Sequence, residues 1–454
     1  MDLSELITAF GGLTWVIAAF ILALSVIVAV HEYGHYIVGR WCGIKAEVFS
    51  VGFGKPLIQR TDRYGTVWQL AALPFGGYVR FKGDANAASA GADNAVVTEL
   101  TPEVRRTTMH GAPLWARALT VAAGPFFNFI LSAIIFAAFF MVNGEAREPV
   151  TVESSLPMPV ENALLPGDII TAVEGNSVNT LEDISALRET LPRSSTLTYA
   201  VNRGGDLLTV VGPHTSPALV RSISLDSAAQ DAGIEAGDVV ISIDGAPITV
   251  FDEMIESVRR TQGKPLALEV WRPVEGGGAD ILSFTLEPRA TDERLEGGGF
   301  ESNYRIGLRG GTFFDPVTEA VGPLTAIPAS VGQVGLIIVS SLDGLWNIIT
   351  GAIGTCNLSG PVGIATTAGT MAALGLDDFI WFIAFISTAV GLVNLFPIPI
   401  LDGGHLVLHA YEAVIRRPPS DRFMNALMFA GLGVVLFIMV FGLANDIVCR
   451  FILR

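Results

Sequence analysis

Long uncharged apolar runs alternate with polar segments along this chain of 454 residues. Four runs reach the length of about 20 residues that a helix needs to cross the hydrocarbon core of a bilayer. They are residues 7–30, 118–142, 379–401 and 423–444. We predict a transmembrane helix for each. The first run is too long for the apolar part of a signal peptide and lacks a cleavage site of small residues, so we expect it to be retained.

A fifth uncharged segment, residues 320–342, is a poorer candidate for a span because it contains Pro323, Pro328 and Gln333. From residue 331 onward its apolar positions recur at helical spacing. The stripe consists of Val331, Val334, Ile338, Leu342, Leu345, Ile349 and Ile353. This pattern favours an amphipathic helix at the membrane interface over a fifth crossing.

Basic residues predict the orientation of the spans, since lysine and arginine accumulate in cytoplasmic loops. Those between the first and second runs include Arg40, Lys45, Lys55, Arg60, Arg105, Arg106 and Arg117. The first six residues contain none. We therefore predict that residues 40–117 are cytoplasmic and that the region from about 145 to 320 lies outside.

Net charge and cysteine usage narrow the classes of function. The formal net charge of −16 argues against nucleic-acid binding and against a polybasic membrane patch. Three cysteines, Cys42, Cys356 and Cys449, are scattered and odd in number. Their spacing predicts neither a disulfide framework nor a metal site.

Ionisable residues at the end of the first run are the strongest sign of chemistry. The pentapeptide HEYGH places His31 and His35 one helical turn apart, so both rings point to one side of the helix. Glu32 between them can act on a water beside a metal held by the two rings. The alternative is that these side chains only reach from a helix end toward water. An ionisable side chain in or beside a span costs free energy, so residues of this kind are usually retained for a function. This argument favours the metal site.

A zinc site needs a third protein ligand, and the third run ends in VNLFPIPILDGGH, residues 393–405. Pro397 and Pro399 predict a broken or extended backbone there, which survives at membrane depth only beside buried or wet surfaces. Asp402 is the candidate ligand, and His405 is the alternative. A role of Asp402 as a simple helix cap would leave Asn394 and both prolines unexplained.

Topology links these groups. If the first and third spans both run from outside to inside, His31, His35 and Asp402 share one depth in the membrane. A complete crossing at residues 320–342 would put Asp402 on the opposite face. A three-ligand site and four spans therefore support each other.

The two motifs together resemble those of the site-2 protease family of intramembrane zinc proteases. HEYGH matches the family's HExxH, and NLFPIPILDGG (394–404) matches N-x-x-P-x-P-x-L-D-G. AAGPFFNF (122–129) is similar to a Gly-Pro-x-x-Asn segment of the family. The resemblance covers nearly the whole chain and is greatest to bacterial members with two PDZ domains.

The resemblance implies that His31, His35 and Asp402 bind Zn²⁺ and that Glu32 is the catalytic general base. It implies contact with the substrate or the transition state for a second group: Asn394, Pro397, Pro399, Asn128, Gly76 and Gly77. Implied substrates are transmembrane helices of single-pass proteins, such as anti-sigma factors in an envelope stress response, and remnant signal peptides. The implied location is the bacterial inner membrane.

An internal repeat lies in the region predicted to be outside. Residues 166–190 align with residues 236–261, each with a Gly-Asp pair, an apolar strand, a glycine turn and an amphipathic helix. Both copies look like PDZ domains, and the first departs further from the usual pattern. Such domains bind extended peptides, so C-terminal tails are possible partners. The alternative is a size filter that binds no particular tail.

The cytoplasmic segment before the second run predicts a β element at residues 47–60 and 66–84, followed by a low-complexity loop at 85–95. In the resembled family such an element dips into the membrane, where an edge strand can hold an extended substrate beside the lipids. Gly76 and Gly77 would then permit close backbone approach. The alternative is a plain soluble hairpin.

The predicted fold class is a multi-pass α-helical membrane protein with four transmembrane helices, a membrane-associated β element and two periplasmic PDZ-like α+β domains. The predicted segments are the first span (1–45), the cytoplasmic β region and loop (46–112), the second span (113–144), the PDZ-like domains (145–215 and 216–292), a linker with interfacial helices (293–376), the third span (377–405), a cytoplasmic loop (406–422), and the fourth span with the tail (423–454).

Two functions from other classes compete with a protease. A non-catalytic membrane scaffold would use a structural metal, which calls for four protein ligands and has no need of Glu32. A metal transporter would need a relay of ligands or two matched halves, and the spans hold one cluster of ligands.

Overall fold

The chain forms two compact units in a computed structural model that describes residues 3–84, 101–224, 227–274, 276–294, 300–417 and 419–449. The helical unit comprises Met1–Met141 and Gly322–Arg454, and the sheet unit comprises Val142–Val321. The predicted loop at 85–95 lies outside the described residues.

Helices dominate the helical unit, and short helices occur in the sheet unit. In chain order they are α1 (Leu3–Trp41), α2 (Pro102–Arg105), α3 (Leu114–Asn143), α4 (Leu181–Ala186), α5 (Ala228–Ala232), α6 (Phe251–Arg260), α7 (Pro323–Ile349), α8 (Pro361–Leu374), α9 (Leu376–Asn394), α10 (Asp402–Ile415) and α11 (Asp421–Ile447). Single 3₁₀ turns lie directly after α4, at Leu187–Glu189, and between α7 and α8, at Thr355–Asn357.

The strands are, in chain order, β1 (Ala46–Thr61), β2 (Val67–Phe81), β3 (Glu145–Ala146), β4 (Val152–Ser155), β5 (Ile169–Val173), β6 (Asn176–Ser177), β7 (Thr196–Arg203), β8 (Asp206–Pro213), β9 (Ser222–Ile223), β10 (Val239–Ile243), β11 (Ala246–Pro247), β12 (Leu266–Pro273), β13 (Ala279–Leu286), β14 (Arg289–Arg294), β15 (Phe300–Arg305), β16 (Leu308–Arg309), β17 (Phe314–Pro316) and β18 (Thr318–Glu319).

Five helices in the described part of the chain are long and apolar enough to cross a membrane. They are Gly12–Trp41, Leu114–Asn143, Pro323–Ile349, Leu376–Asn394 and Arg422–Ile447. Four of them coincide with the predicted runs. The fifth is α7, which the sequence assigned to the membrane interface and which qualifies by length and composition. The number of four crossings therefore stays a prediction.

Helices α1 and α3 pack in opposite directions. Near the start of α3, the carbonyl oxygen of Thr120 contacts His35, and two turns later Asn128 contacts His31. Residue numbers thus rise along α3 as they fall along α1. Small residues allow the close approach, because a Cβ on Gly34 would lie 2.6 Å from a backbone oxygen of α3.

Helix α9 also runs opposite to α3, so α1 and α9 are parallel. The hydroxyl of Ser387 donates to the carbonyl oxygen of Asn128, and the hydroxyl of Ser132 donates to that of Ala384. A Cβ on Gly391 would lie only 2.9 Å from the ring of Phe129. Serine hydroxyls and glycines are common means of joining helices where no hydrophobic effect acts between them.

The chain leaves the helical conformation between α9 and α10, as the two prolines predict. Helix α9 ends at Asn394, and α10 begins at Asp402. The glycines after Asp402 let the chain turn back tightly, because a Cβ on Gly403 would lie 2.3 Å from the carbonyl oxygen of Leu395. The break therefore determines where the carboxylate of Asp402 stands.

A disulfide between Cys356 and Cys449 fastens the last helix to the segment before α8. The sequence reasoning, which predicted no disulfide, was wrong here, because residues 93 positions apart meet only through the packing of α11 against α8. A disulfide of this kind stabilises a fold by about 2–4 kcal/mol. The amide of Asn445 adds hydrogen bonds to the carbonyl oxygens of Thr355 and Leu358.

The carboxylate of Asp446 caps the first turn of α8. It accepts hydrogen bonds from the backbone N–H groups of Gly360, Val362 and Gly363, which have no partner within their own helix. A negative charge is also stabilised at a helix N-terminus. Gly360 is required by the packing of the two helices, because a Cβ there would lie 2.3 Å from the carbonyl oxygen of Gly442.

Strands β1 and β2 form a sheet of bent strands beside α1. Val48 of β1 pairs with Arg80 on one side and with Val67 on the other, so each long strand contributes two pairing segments. One half of the sheet packs on α1 through Phe49 and Val79, which are buried with Tyr36. Apolar side chains elsewhere on it are exposed: Phe53, Leu57, Ile58, Leu70 and Leu73.

The sheet unit contains two modules that correspond to the two copies of the sequence repeat. The first module has the sheet β6-β5-β7-β8 with α4, and the second has the sheet β11-β10-β12-β13 with α6. The repeated Gly-Asp pair has the same role in both. Asp168 is buried and paired with Arg203, and Asp238 is buried and paired with Arg272.

The segment after β13, which the sequence assigned to a linker, contributes to both cores. Ile306 and Leu308 belong to the core of the second module. Phe313 and Phe314 belong to the core of the first, beside Tyr199. The last strands of the sheet unit therefore return through the second module to the first, which spacing along the chain could not indicate.

Candidate metal centre

The two histidines of HEYGH lie on the buried side of α1 with their rings toward each other. The Nε2 atoms of His31 and His35 are 3.2 Å apart, and the rings meet edge to face. The i, i+4 spacing on a regular helix produces this arrangement without further help. The open question from the sequence was what third group would join them.

The structure brings Asp402 to this pair. Its Oδ2 lies 3.1 Å from Nε2 of His31, and its Oδ1 lies 3.5 Å from Nε2 of His35. Within the described residues this is the one group of three histidine, cysteine or acidic side chains whose ligand atoms lie within 4.8 Å of one another. His405, the alternative third ligand, stands on the next turn of α10 and is not part of the group.

Helix α3 orients the ring of His35. The Nδ1 atom lies 2.9 Å from the carbonyl oxygen of Thr120, and a carbonyl can only accept a hydrogen bond. Nδ1 therefore carries the hydrogen, and the lone pair of Nε2 is directed at His31 and Asp402. Such a partner on the far side of the ring is the usual support for a metal-binding histidine.

Asn128 holds the ring of His31 in the same way. Its side-chain amide lies 3.2 Å from Nδ1, while its Oδ1 is buried and lacks a hydrogen-bond partner. A metal on Nε2 of His31 would leave the hydrogen on Nδ1, and rotation of the amide would then give Oδ1 its missing donor. The unpaired oxygen thus fits a metal-bound state.

Gly124 of α3 leaves the space that the imidazole rings occupy. A Cβ at this position would lie 2.3 Å from Nε2 of His35 and 2.8 Å from Cε1 of His31. Any larger residue would displace both rings. The sequence motif around Gly124 was visible beforehand, whereas the backbone contact from Thr120 left no signal in the sequence.

The donor set fits Zn²⁺. Two imidazole nitrogens and one carboxylate oxygen are three of the four ligands of a tetrahedral site, which leaves one position open for water or substrate. The Oδ2 atom of Asp402 is buried without a hydrogen-bond partner, although Nε2 of His31 is 3.1 Å away. A cation between these atoms would satisfy both.

Glu32 lies beside this group and is held by the β element. The backbone N–H of Val79 in β2 faces its carboxylate, and the Cγ atom of Glu32 is 3.1 Å from the position of a Cβ on Gly77. The same Cβ would lie 2.7 Å from the carbonyl oxygen of Ser50. Gly77 therefore makes room for Glu32 and for the neighbouring strand, a role that the sequence reasoning missed.

Replacing Gly77 by alanine is expected to lower activity by about tenfold or more, because the added methyl group must displace Glu32 or the strand, and an error of about 1 Å can cost about 100-fold. The measurement is the rate of the peptide-bond cleavage that the sequence resemblance implies, together with the metal content, which should stay unchanged.

The matched control is Gly335→Ala in α7, where a Cβ would meet no atom within 4 Å. That variant should keep the parental rate. Equal rates for Gly77→Ala and the parent would show that β2 does not position Glu32.

The remaining predicted contact residues lie at the helix break and in β2. Asn394 is the last residue of α9 and is half-buried, and Pro397 and Pro399 lie in the non-helical segment that follows. Gly76 has a backbone φ of 114° and lies against the ring of Phe53. A contact of these residues with a substrate stays a prediction.

Comparison with models of protein families assigns the chain to a family of peptidases. A model described as peptidase family M50 matches residues 19–438, which include His31, His35 and Asp402.

Relatives match over almost their whole length. A putative zinc metalloprotease of Agrobacterium fabrum is 34% identical over 455 residues, which cover 98% of this chain and 99% of the relative. The regulator of sigma-E protease of Escherichia coli is 32% identical over 469 residues, covering 95% and 98%.

Among solved structures, the PDZ domain of an SdrC-like protein from Listeria monocytogenes covers 22% of this chain and 93% of its own, with 20% identity and a TM-score of 0.16.

Proposed function

The chain belongs to peptidase family M50 and is an intramembrane zinc protease, and we propose that His31, His35 and Asp402 hold its Zn²⁺ while Glu32 is its general base. The observation that carries the residue assignment is the cluster of three ligand atoms directly beside Glu32. Because three protein ligands leave a coordination position open, the cluster favours a catalytic site over a structural one.

Zn²⁺ in this site supplies a Lewis acid that polarises the scissile carbonyl and lowers the pKa of water. The protein's own residues transfer the proton and orient the reacting groups. Glu32 accepts the proton of the attacking water and returns it to the leaving amine. The Val79 N–H keeps the carboxylate aimed at the cluster. We assign Asn394 to the developing oxyanion, since it is a polar amide at the end of α9 near the break.

We assign substrate contacts to the break and to the β element. A helical peptide bond is shielded by its own hydrogen bonds, so the substrate must be extended before it can react. The edge of β2 near Gly76 and Gly77 can pair with an extended segment. Pro397 and Pro399 keep the facing segment non-helical. Asn128 supports the ring of His31 in this scheme, and its contact with the substrate or transition state stays a prediction.

Four crossings agree best with the directions of the helices. Helices α1 and α9 are parallel and α3 is opposite to both, so an even number of crossings must separate α3 from α9. Helix α8 has 14 residues and is about 21 Å long, too short to return across about 30 Å of hydrocarbon. We therefore propose that α7 does not complete a crossing.

The cysteines support the proposed orientation. Disulfides persist in oxidising compartments such as the bacterial periplasm and are rare in the cytosol. Arg416, Arg417 and Arg422 favour a cytoplasmic start of α11. The end of α11, where the Cys356–Cys449 bond lies, would then be outside. Cys42, at the predicted cytoplasmic end of α1, is a free thiol.

We propose that the sheet unit consists of two PDZ-like domains in the periplasm of a bacterium and that the protein resides in the inner membrane. The relatives named as regulators of sigma-E suggest an anti-sigma factor with a single transmembrane helix as a substrate. The domains would bind a C-terminal tail or exclude substrates with large outer domains.

A non-catalytic scaffold is the less favoured function, because it leaves Glu32 without a role.

Incubating the purified protein in micelles with a single-pass protein that lacks its outer domain should produce two fragments cut within the transmembrane segment. Mass spectrometry of the fragments locates the cut. Prior removal of the metal with a chelator should stop the reaction, and adding Zn²⁺ should restore it. A cut only in soluble segments, or cleavage that survives metal removal, would contradict the proposal.

A further inference from the structure

A cavity of about 450 Å³ lies between the two modules of the sheet unit. Its apolar lining comes from both modules, with Leu191 from the first and Val250 and Ile255 from the second. Two ion pairs join the modules across the same region, Arg188 to Asp252 and Arg193 to Glu256.

His214 lines this cavity at the point where the chain passes from one module to the other. It follows β8 of the first module, and its backbone N–H donates to the carbonyl oxygen of Ser195. Two residues later, the carbonyl oxygen of Ser216 accepts from the N–H of Phe251, the first residue of α6. Residues 214–216 are therefore one of two connections between the modules, and the other is the segment between Leu308 and Phe313.

The ring of His214 is held in its neutral form by its contacts. Its Nδ1 accepts a hydrogen bond from the backbone N–H of Ser216 at 3.0 Å, so Nδ1 carries no hydrogen. The hydrogen is on Nε2, which is buried and lacks a partner. The residue is only 2% exposed.

Adding a proton to this ring would break the arrangement. Nδ1–H would point at the N–H of Ser216, and both ring donors of a buried cation would then be without an acceptor. Burial of an unpaired charge costs several kcal/mol, so the ring can take up a proton only if it reaches water. Burial accordingly lowers the pKa of His214 below its ordinary value.

Charged groups face His214 from two packed elements. Arg188, after α4, opposes protonation, whereas Asp252 and Glu253 of α6 favour it. The other charged residues of the cavity wall are Glu189, Arg193, Glu256 and Arg259. An exposed histidine ordinarily titrates near pH 6.5, so His214 gains a charge in mild acid once its ring reaches water.

We propose that His214 is the titrating group of an acid-sensitive latch between the two modules: the neutral ring keeps the cavity closed, and protonation opens the modules about residues 214–216. The direction follows from linkage. A base whose pKa is lower in the closed state favours closure above its open-state pKa of about 6.5, and closure weakens as the pH falls below that value.

The ratio of open to closed protein rises by up to tenfold for each pH unit below 6.5, until the closed form also takes up the proton. Between pH 6.5 and pH 5 the expected change in this ratio is therefore at most about 15-fold, because half of the open form is already protonated at pH 6.5. The range covers mild acid, in which most carboxylates are still ionised.

Distances between spin labels in the full-length protein test the latch. Labels on exposed positions of the two sheets, at Thr209→Cys and Ser283→Cys, are introduced with Cys42→Ser, while the disulfide-bonded cysteines take up no label. We expect one short distance at pH 7.5 and a growing population at longer distance as the pH falls to 5.

His214→Asn is the matched variant, since its amide oxygen can accept from the N–H of Ser216 but does not titrate in this range. Its distances should not change between pH 7.5 and 5. Arg188→Gln should be more open at every pH, because it removes an ion pair that joins the modules. Its response to pH should be smaller, because it also removes a charge that opposes protonation of the closed form. The latch is excluded if the parent shows one distance throughout, or if His214→Asn keeps the full response.

Discussion

Replacing Glu32 by glutamine is expected to reduce cleavage of a transmembrane substrate by about 100- to 10,000-fold, the range that general-base groups contribute. Glutamine has nearly the same shape and can still accept the hydrogen bond from the N–H of Val79, but it cannot take up a proton at neutral pH. The zinc content should therefore remain at the parental level. Cleavage is followed by the appearance of fragments, and zinc by elemental analysis.

The control for this variant is Glu161→Gln, which changes an exposed glutamate of the sheet unit in the same way. It should cleave at the parental rate. Full activity of Glu32→Gln would refute the proposed mechanism and favour the scaffold with a structural metal. Loss of zinc from Glu32→Gln would instead mean that Glu32 helps to hold the metal.

Removing the carboxylate of Asp402 is expected to abolish both zinc binding and proteolysis. Asp402→Ala leaves two imidazoles as the only ligands of the cluster, and changes merely behind a metal ligand already cost about 10- to 100-fold in affinity. We expect less than one zinc in ten chains after dialysis against a weak chelator. The measurement is zinc per protein, followed by the cleavage rate with and without added Zn²⁺.

His405→Ala separates the two candidates for the third ligand. His405 stands on the turn of α10 after Asp402 and is outside the cluster of ligand atoms. Its removal should leave about one zinc per chain. Zinc retained by Asp402→Ala and lost by His405→Ala would transfer the third ligand to the histidine.

The local parts of the site were predictable because short-range geometry produces them. Two histidines four residues apart on a helix face the same way whatever surrounds them. Prolines at 397 and 399 end a helix because they lack the N–H and clash with the preceding turn. The uncharged runs match four of the helices for a similar reason, since a bilayer requires about 20 apolar residues.

Other features depend on residues that meet only in the folded chain. Nothing about their spacing pairs Cys356 with Cys449. Phe313 and Phe314 join the core of the first module although they follow the whole second module along the chain. A hydrogen bond from a backbone atom, such as the contact of Thr120 with His35, can be made by any residue type and therefore leaves no pattern.

The sequence by itself determined the class of this protein and the chemistry of its candidate site. It specified apolar lengths, helix breaks and a local pair of rings, all of which follow from interactions within a few residues. Only the tertiary structure decided that Asp402 reaches those rings, that Val79 lies beside Glu32 and that His214 is buried between the two modules. These depend on how distant helices and strands pack, and packing is a property of the whole chain.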